Sequence, residues 1–243
     1  MNQTDDIGIP RLQQSESNTR KHQSSRSLEK PSVGVELVVF TVIDSDLKVL
    51  LIKRTEHPFK GVWALPGGLV QVSNSGDQGE NIDDAAHRVL CATTGITPSA
   101  CSVAQLCTFG KAGRDPRSRL ISIAWTALIS PDQLQGNANQ QDNNIQWFSA
   151  NDETPWMRLS FDHAEILDTA VHRIRNQLDT TNIAFHLVAK TFTVAELRDT
   201  HEAIKSRRYE ARNFRRRFQR LVDDGVVIES PGKRHRGKAR PAK

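Results

Sequence analysis

An α+β chain is predicted from three patterns in the 243 residues. Between Val35 and Phe148, short apolar runs of strand character alternate with one helical pattern, Ile82 to Thr94. A second helical pattern opens at Phe161-Asp162-His163-Ala164-Glu165 and carries Leu167, Ala170, Val171, Ile174 and Leu178 on one face. The C-terminal end then runs helix, short connection, basic helix and short strand, the order of a winged helix-turn-helix.

Residues 1–31 are rich in Ser, Gln, Asn and Arg and poor in apolar groups, so this tail is expected to stay disordered. Its Arg20, Lys21 and Arg26 are countered by Asp5, Asp6, Glu16 and Glu29, which argues against a basic arm. Within 32–155 the strand candidates are Val35–Ile43, Val49–Ile52, Val103–Phe109, Leu120–Leu128 and Ile145–Phe148. With the helix Ile82–Thr94 they make a mixed α/β/α sandwich. Residues 156–181 read as a linking helix, with Asp162 as N-cap and Glu165 three positions later, as in a capping box. The polar stretch Asp179-Thr180-Thr181-Asn182 leads into a second domain, 182–243.

In that domain Thr193-Val194-Ala195-Glu196 forms another capping box and starts a helix with Val194, Leu197, His201 and Ile204 on one side. The next helix, about Tyr209 to Val222, repeats Phe214, Phe218, Leu221 and Val222 at i, i+4, i+7 and i+8. Arg212, Asn213, Arg215, Arg216 and Arg220 occupy its other side. A recognition helix needs this division: one face buried, the other offering Arg to guanine and Asn to adenine. Val226–Glu229 is then expected as a strand, with Lys233, Arg234 and Arg236 on a basic wing lying along phosphates. The charge agrees. The whole chain carries 33 basic and 28 acidic residues, yet residues 201–243 hold 14 and 5 of them. A mildly acidic body with a basic end points to a polyanion partner, and the recognition-helix pattern makes double-stranded DNA the expected one.

Mean hydropathy of −0.51 and the lack of any long apolar run exclude a membrane span. No secretory signal opens the chain, and Cys91, Cys101 and Cys107 lack metal-type spacing, so a reducing cytoplasm is expected.

The remaining motif runs from Trp63-Ala64-Leu65-Pro66-Gly67-Gly68 to Gly95-Ile96. It resembles the Nudix box, the loop–helix–loop signature of hydrolases that split nucleoside diphosphates linked to another group. Glu80, Arg88, Leu90, Gly95 and Ile96 fit that pattern, but Val89, Ala92 and Thr93 stand where it has three glutamates. Those positions share one helical face, where carboxylates would hold magnesium or manganese to polarise a pyrophosphate. A neutral face cannot, so neither catalytic nor metal-binding residues are expected. Eleven residues separate Gly68 from Glu80 where the family has five, a lengthened polar loop. The alternative is an active ADP-ribose or nucleotide-sugar pyrophosphatase using displaced ligands among Asp77, Glu80, Asp83 and Asp84.

The flanking motifs sharpen the resemblance. Arg54, Pro58-Phe59-Lys60-Gly61, Thr108-Phe109-Gly110, Arg114-Asp115-Pro116-Arg117, Phe161-Asp162-His163 and Arg212-Asn213-Phe214-Arg215-Arg216 are similar to the Nudix-related transcriptional regulators of NAD metabolism. The resemblance covers residues 33 to 243 and implies a Nudix-like α/β/α sandwich that senses ADP-ribose, followed by the winged helix. It further implies a repressor of NAD biosynthesis or salvage genes, a homodimer on operator DNA, that needs no cofactor and takes ADP-ribose or a related nucleotide as effector. The expected ligand-binding residues are Gly67 and Gly68 for close backbone approach, Arg54, Arg114 and Arg117 as phosphate clamps, Phe109 and Phe161 as adenine platforms, and His163. Trp63, Trp125, Trp147 and Trp156 read as packing residues.

Overall fold

The computed structural model describes residues 30–72, 79–134, 143–152 and 156–230. The expectations for the N-terminal tail, for Asp77 and for Lys233, Arg234 and Arg236 fall outside these residues.

A seven-stranded sheet runs in the order β3 (Trp63–Ala64), β2 (Asp46–Lys53), β1 (Ser32–Ile43), β6 (Leu120–Leu128) and β5 (Ser102–Phe109), with β4 (Gly67–Leu69) paired to β1 and β7 (Ile145–Ser149) to β2. Its axis is β1 (Ser32–Ile43), an almost unbroken apolar run buried on both faces, as a central strand should be. β1 lies parallel to β6 (Leu120–Leu128) and antiparallel to β2 (Asp46–Lys53) along its second half. Its first half pairs instead with β4 (Gly67–Leu69), matching Val35 to Gly68 and Glu36 to Gly67. β3 (Trp63–Ala64), β5 (Ser102–Phe109) and β7 (Ile145–Ser149) complete the sheet. Because side chains alternate along a strand, β1 sends Val35, Leu37 and Val39 to one face and Val38, Phe40 and Val42 to the other.

The first face is covered by α1 (Ile82–Thr94) through Ala85, Ala86, Val89 and Leu90. Gly95 ends this helix at φ 71°, a left-handed turn that glycine takes without steric cost, and its N–H bonds Cys91 O at 2.8 Å. A short turn of helix, α2 (Pro131–Leu134), follows β6. The second face is covered by α3 (His163–Gln177), whose Ile166, Leu167, Ala170, Val171 and Ile174 form the expected stripe. The same apolar cluster continues into α4 (Val194–Lys205) and α5 (Ala211–Asp223) through Leu197, Ala203, Ile204 and Phe214. Trp125 and Trp156 are buried, Trp147 packs on the α1 side, and Trp63 meets Phe148 edge-on at 4.9 Å.

The two expected capping boxes fared differently. At α4 both bonds form: Thr193 accepts from Glu196 N at 3.1 Å and Glu196 accepts from Thr193 N at 2.7 Å. Thr193→Ala should therefore cost about 1 kcal/mol in chemical denaturation. At α3 the position is right but the bond is absent: Asp162 caps nothing with its side chain, which Arg114 holds instead. Two further expectations are corrected. α5 begins at Ala211 rather than Tyr209 because the Glu210 carboxylate accepts from Arg212 N and Asn213 N. Val226–Glu229 forms no strand, since no neighbouring strand pairs with it among the described residues; Val226 N and Val227 N bond Leu221 O.

Candidate functional site

A cavity of about 300 Å³ opens where the start of β1, the Gly67-Gly68 pair of β4, the β5–β6 loop and the start of α3 converge. Arg54, Gly67, Gly68, Arg114, Arg117, Phe161 and His163 all line it, together with Glu36 and Asp115. Phe109 does not; it ends β5 and packs against the apolar cluster on the α3 side of the sheet. A larger hollow of about 650 Å³ beside Cys101, Phe185 and Lys190 has no arginine on its wall.

The cavity closes because two distant segments are tied together. Ser160 N donates to Trp63 O at 2.9 Å, and Leu65 N donates to His163 Nδ1 at 2.9 Å. The second bond sets the imidazole: Nδ1 accepts, so the ring proton sits on Nε2, which faces Glu36 Oε1 at 4.0 Å. Burial pushes the His163 pKa down to about 3, with Asp162 opposing, so the ring is neutral at ordinary pH. Phe161 holds φ 55°, an unfavourable left-handed conformation for an aromatic residue. Its ring is flanked by Arg54 at 4.9 Å, Arg117 at 5.7 Å and, edge-on, Phe59 at 4.8 Å.

The three arginines are not equivalent. Arg114 is buried and makes a two-pronged pair with Asp162, both bonds 2.7 Å, while lying 3.6 Å from Glu36. Arg117 is half exposed and grips Asp115 at 2.6 and 3.0 Å. Arg54 donates to Pro58 O at 2.8 Å. Arg54 and Arg117 can therefore turn toward a phosphate at the rim, whereas Arg114 already serves two carboxylates. Burial lifts the Glu36 pKa to about 7; Arg114 opposes the lift, while Asp162 and Asp115 add to it.

On the opposite face of the sheet the Nudix-box helix presents no carboxylate triad. Val89 is 5% exposed inside the core, and Thr93 Oγ1 donates to Val89 O at 2.8 Å. Glu80 is clamped by Arg88 at 2.6 and 3.0 Å and by Gln71 N at 2.8 Å. Among the described residues no group of three His, Cys, Asp or Glu is arranged to hold a metal.

At the other end of the chain, Phe214 docks α5 against His201 at 5.1 Å and Tyr209 at 6.0 Å. That contact leaves Arg212, Asn213, Arg215, Arg216 and Arg220 exposed. The tight turn between α4 and α5 is organised by Glu202, a buried carboxylate that accepts from Tyr209 N and Arg208 Nη1, both at 2.9 Å.

The Nudix domain family model matches residues 34–170, and that of the NrtR DNA-binding winged helix domain matches residues 184–243. The chain is 33% identical over 212 residues to the ADPR responsive transcriptional repressor NtrR of Acinetobacter baylyi, covering 87% of this chain and 80% of that protein. The chain belongs to the NrtR-type family of Nudix–winged-helix transcriptional regulators. Shewanella oneidensis NrtR complexed with a 27mer DNA is structurally similar, with a TM-score of 0.68, 29% identity, and 86% of this chain and 90% of that one covered. The Nudix part is also 34% identical over 137 residues to an ADP-ribose pyrophosphatase of Methanocaldococcus jannaschii, covering 56% of this chain and 71% of that enzyme. NrtR-type kinship and pyrophosphatase kinship thus meet in one domain.

Several residues that organise this region of the chain were not foreseen. Glu36 had a signal, a lone charge inside the apolar run of β1. Asp162 and Asp115 lay within the quoted motifs, but as neighbours of functional residues rather than as partners of the arginines. Arg175, which reaches Ile204 O at 3.1 Å and Asn151 Oδ1 at 2.9 Å, had none, since its partners are far away in sequence.

Proposed function

We propose that this protein is a DNA-binding repressor whose Nudix domain holds ADP-ribose, or a related NAD-derived nucleotide, without splitting it. The observation that carries the reading is a single chain pairing an arginine-rimmed cavity, with no carboxylate triad on the box helix, with an exposed arginine helix. The ligand identity is supported by relatives described as ADPR responsive and as an ADP-ribose pyrophosphatase. Genes of NAD biosynthesis or salvage are the targets, and the protein works in the cytoplasm as a two-fold homodimer on palindromic half-sites.

Arg212, Asn213, Arg215 and Arg216 read base edges in this account, and Lys233, Arg234 and Arg236 follow the backbone. Ligand acts on them through α3. Its first turn bounds the cavity with His163, and Asp162 just before it holds Arg114 on the cavity wall; its far end holds α4 through Arg175, and Asp179 pairs with Lys205 and Arg217. A ligand shifts DNA affinity only by as much as it binds the two arrangements differently.

The test is a gel shift with the protein's own promoter region, with and without ADP-ribose. Arg215→Ala and Arg216→Ala should each weaken operator binding by about tenfold or more. Unchanged affinity in both variants removes α5 as the reader. The kinship with a pyrophosphatase favours a second reading, hydrolysis at displaced ligands. Magnesium-dependent release of AMP from ADP-ribose, abolished by Glu80→Gln, would establish it. No such release is expected, because Arg88 and Gln71 already occupy the Glu80 carboxylate.

A further inference from the structure

At the floor of the cavity and in the strand behind it stand polar atoms without a hydrogen-bond partner among the described residues. Glu36 Oε2 is buried and accepts no hydrogen bond among the described residues; Ser122 Oγ, just behind Gly34, is in the same condition. Neither placement is accidental. Gly34 and Glu36 lie two apart on β1 and so share a face, and Gly34 pairs with Ser122 across the sheet. Gly67 closes over them: a Cβ there would stand 3.2 Å from Glu36 Cγ and 2.9 Å from Val35 O, so only glycine lets the turn pass this near. Beside Glu36 is the Nε2–H of His163, whose other nitrogen is committed to Leu65.

A buried acceptor left unbonded costs roughly 1–3 kcal/mol, so an arrangement of this kind is completed by a partner from outside. The partner's chemistry follows from its surroundings. A second cation is disfavoured, because Arg114 already stands against Glu36 and Asp162. An anion is disfavoured by the same two carboxylates together with Asp115. What remains is a neutral group that donates to a carboxylate and accepts from an imidazole N–H. A hydroxyl does both; an exocyclic amine only donates.

We propose that Glu36 and His163 form a subsite for a sugar hydroxyl of the bound nucleotide, with its phosphates at Arg54 and Arg117 on the rim. The subsite rests on the nucleotide reading above and adds that the sugar, not only the charge, is recognised. Glu36 is the specificity-determining residue and His163 its companion donor.

Calorimetric titrations at pH 8 with ADP-ribose and with inorganic pyrophosphate, which has the charge but no sugar, separate the two ideas. Glu36→Gln is expected to weaken ADP-ribose by about tenfold or more, since hydrogen bonds to charged groups are the stronger class, while pyrophosphate binds as before or more tightly. Glu36→Met, of similar volume and without a carboxylate, gives the same expectation should the glutamine variant not fold. The subsite is overturned if ADP-ribose affinity is unchanged, or if both ligands weaken in parallel. If the parent protein binds neither, the nucleotide reading fails first and takes the subsite with it.

Discussion

Replacing Arg114 with alanine is expected to destabilise the fold by about 3–5 kcal/mol, the loss typical of removing one partner from a buried ion pair. The guanidinium is 2% exposed and bonds both oxygens of Asp162, with Glu36 at 3.6 Å. Without it, two carboxylates face each other in a site from which water is largely excluded. Arg117→Ala is the internal control. Its side chain is 53% exposed, and although its partner Asp115 is 4% exposed, that carboxylate keeps the bond from the backbone N–H of residue 117, so removal should cost less than at Arg114, about 1–2 kcal/mol. Denaturant melts of the two variants at neutral pH decide the matter. Equal losses would mean that Arg114 is merely another surface cation. Adding Asp162→Asn to Arg114→Ala should recover part of the loss, because the uncompensated charge goes with it.

The second large effect appears along the pH axis. Glu36 ionises near 4.5 as a free group and near 7 in the fold, burial being the chief cause. Between those values the folded state holds a proton that the unfolded chain has released, so stability falls as pH rises. The contribution is complete below about 4.5 and gone once pH has passed through about 7; a shift of this size corresponds to on the order of 3 kcal/mol. Glu36→Gln removes the dependence. Its melting temperature should gain on the parent's from pH 5 to 7 and hold a constant lead above about 8. A lead that never changes with pH would show that Glu36 does not titrate in this range. His163 works with the opposite sign: its folded value near 3 gives stability present above about 6.5 and lost in acid. It is common to both proteins and cancels in their difference.

Much of the fold was legible because it is locally encoded. The helix Ile82–Thr94 and the strand Leu120–Leu128 begin and end where apolar pattern and turn residues say they should. β3 and β4 were invisible, since two or three residues carry no periodicity and exist as strands only through pairing with β2 and β1. The contrast between Thr193 and Asp162 shows where local reading stops. Both begin a capping-box pattern, but the Asp162 carboxylate is taken by an arginine 48 residues away in sequence. For the same reason motifs gathered eight expected ligand residues, seven of which line one cavity, while the roles of Arg114 and Glu36 could not be read. Those roles depend on which charges share a buried corner.

Val89 makes the Nudix box hard to convert. Where the family pattern has a glutamate, this side chain is 5% exposed among Ala85, Ala86 and Leu90, and a Cβ on Gly68 would come within 3.3 Å of it. A carboxylate placed there would enter an apolar cluster, and the nearby Arg88 guanidinium is already paired with Glu80, so the cost would be several kcal/mol. Ala92, on the exposed surface, could take a glutamate with little effect on folding. The neighbourhood of position 89 would therefore have to be rebuilt before a glutamate could stand there, so the packing itself holds the box in its neutral form.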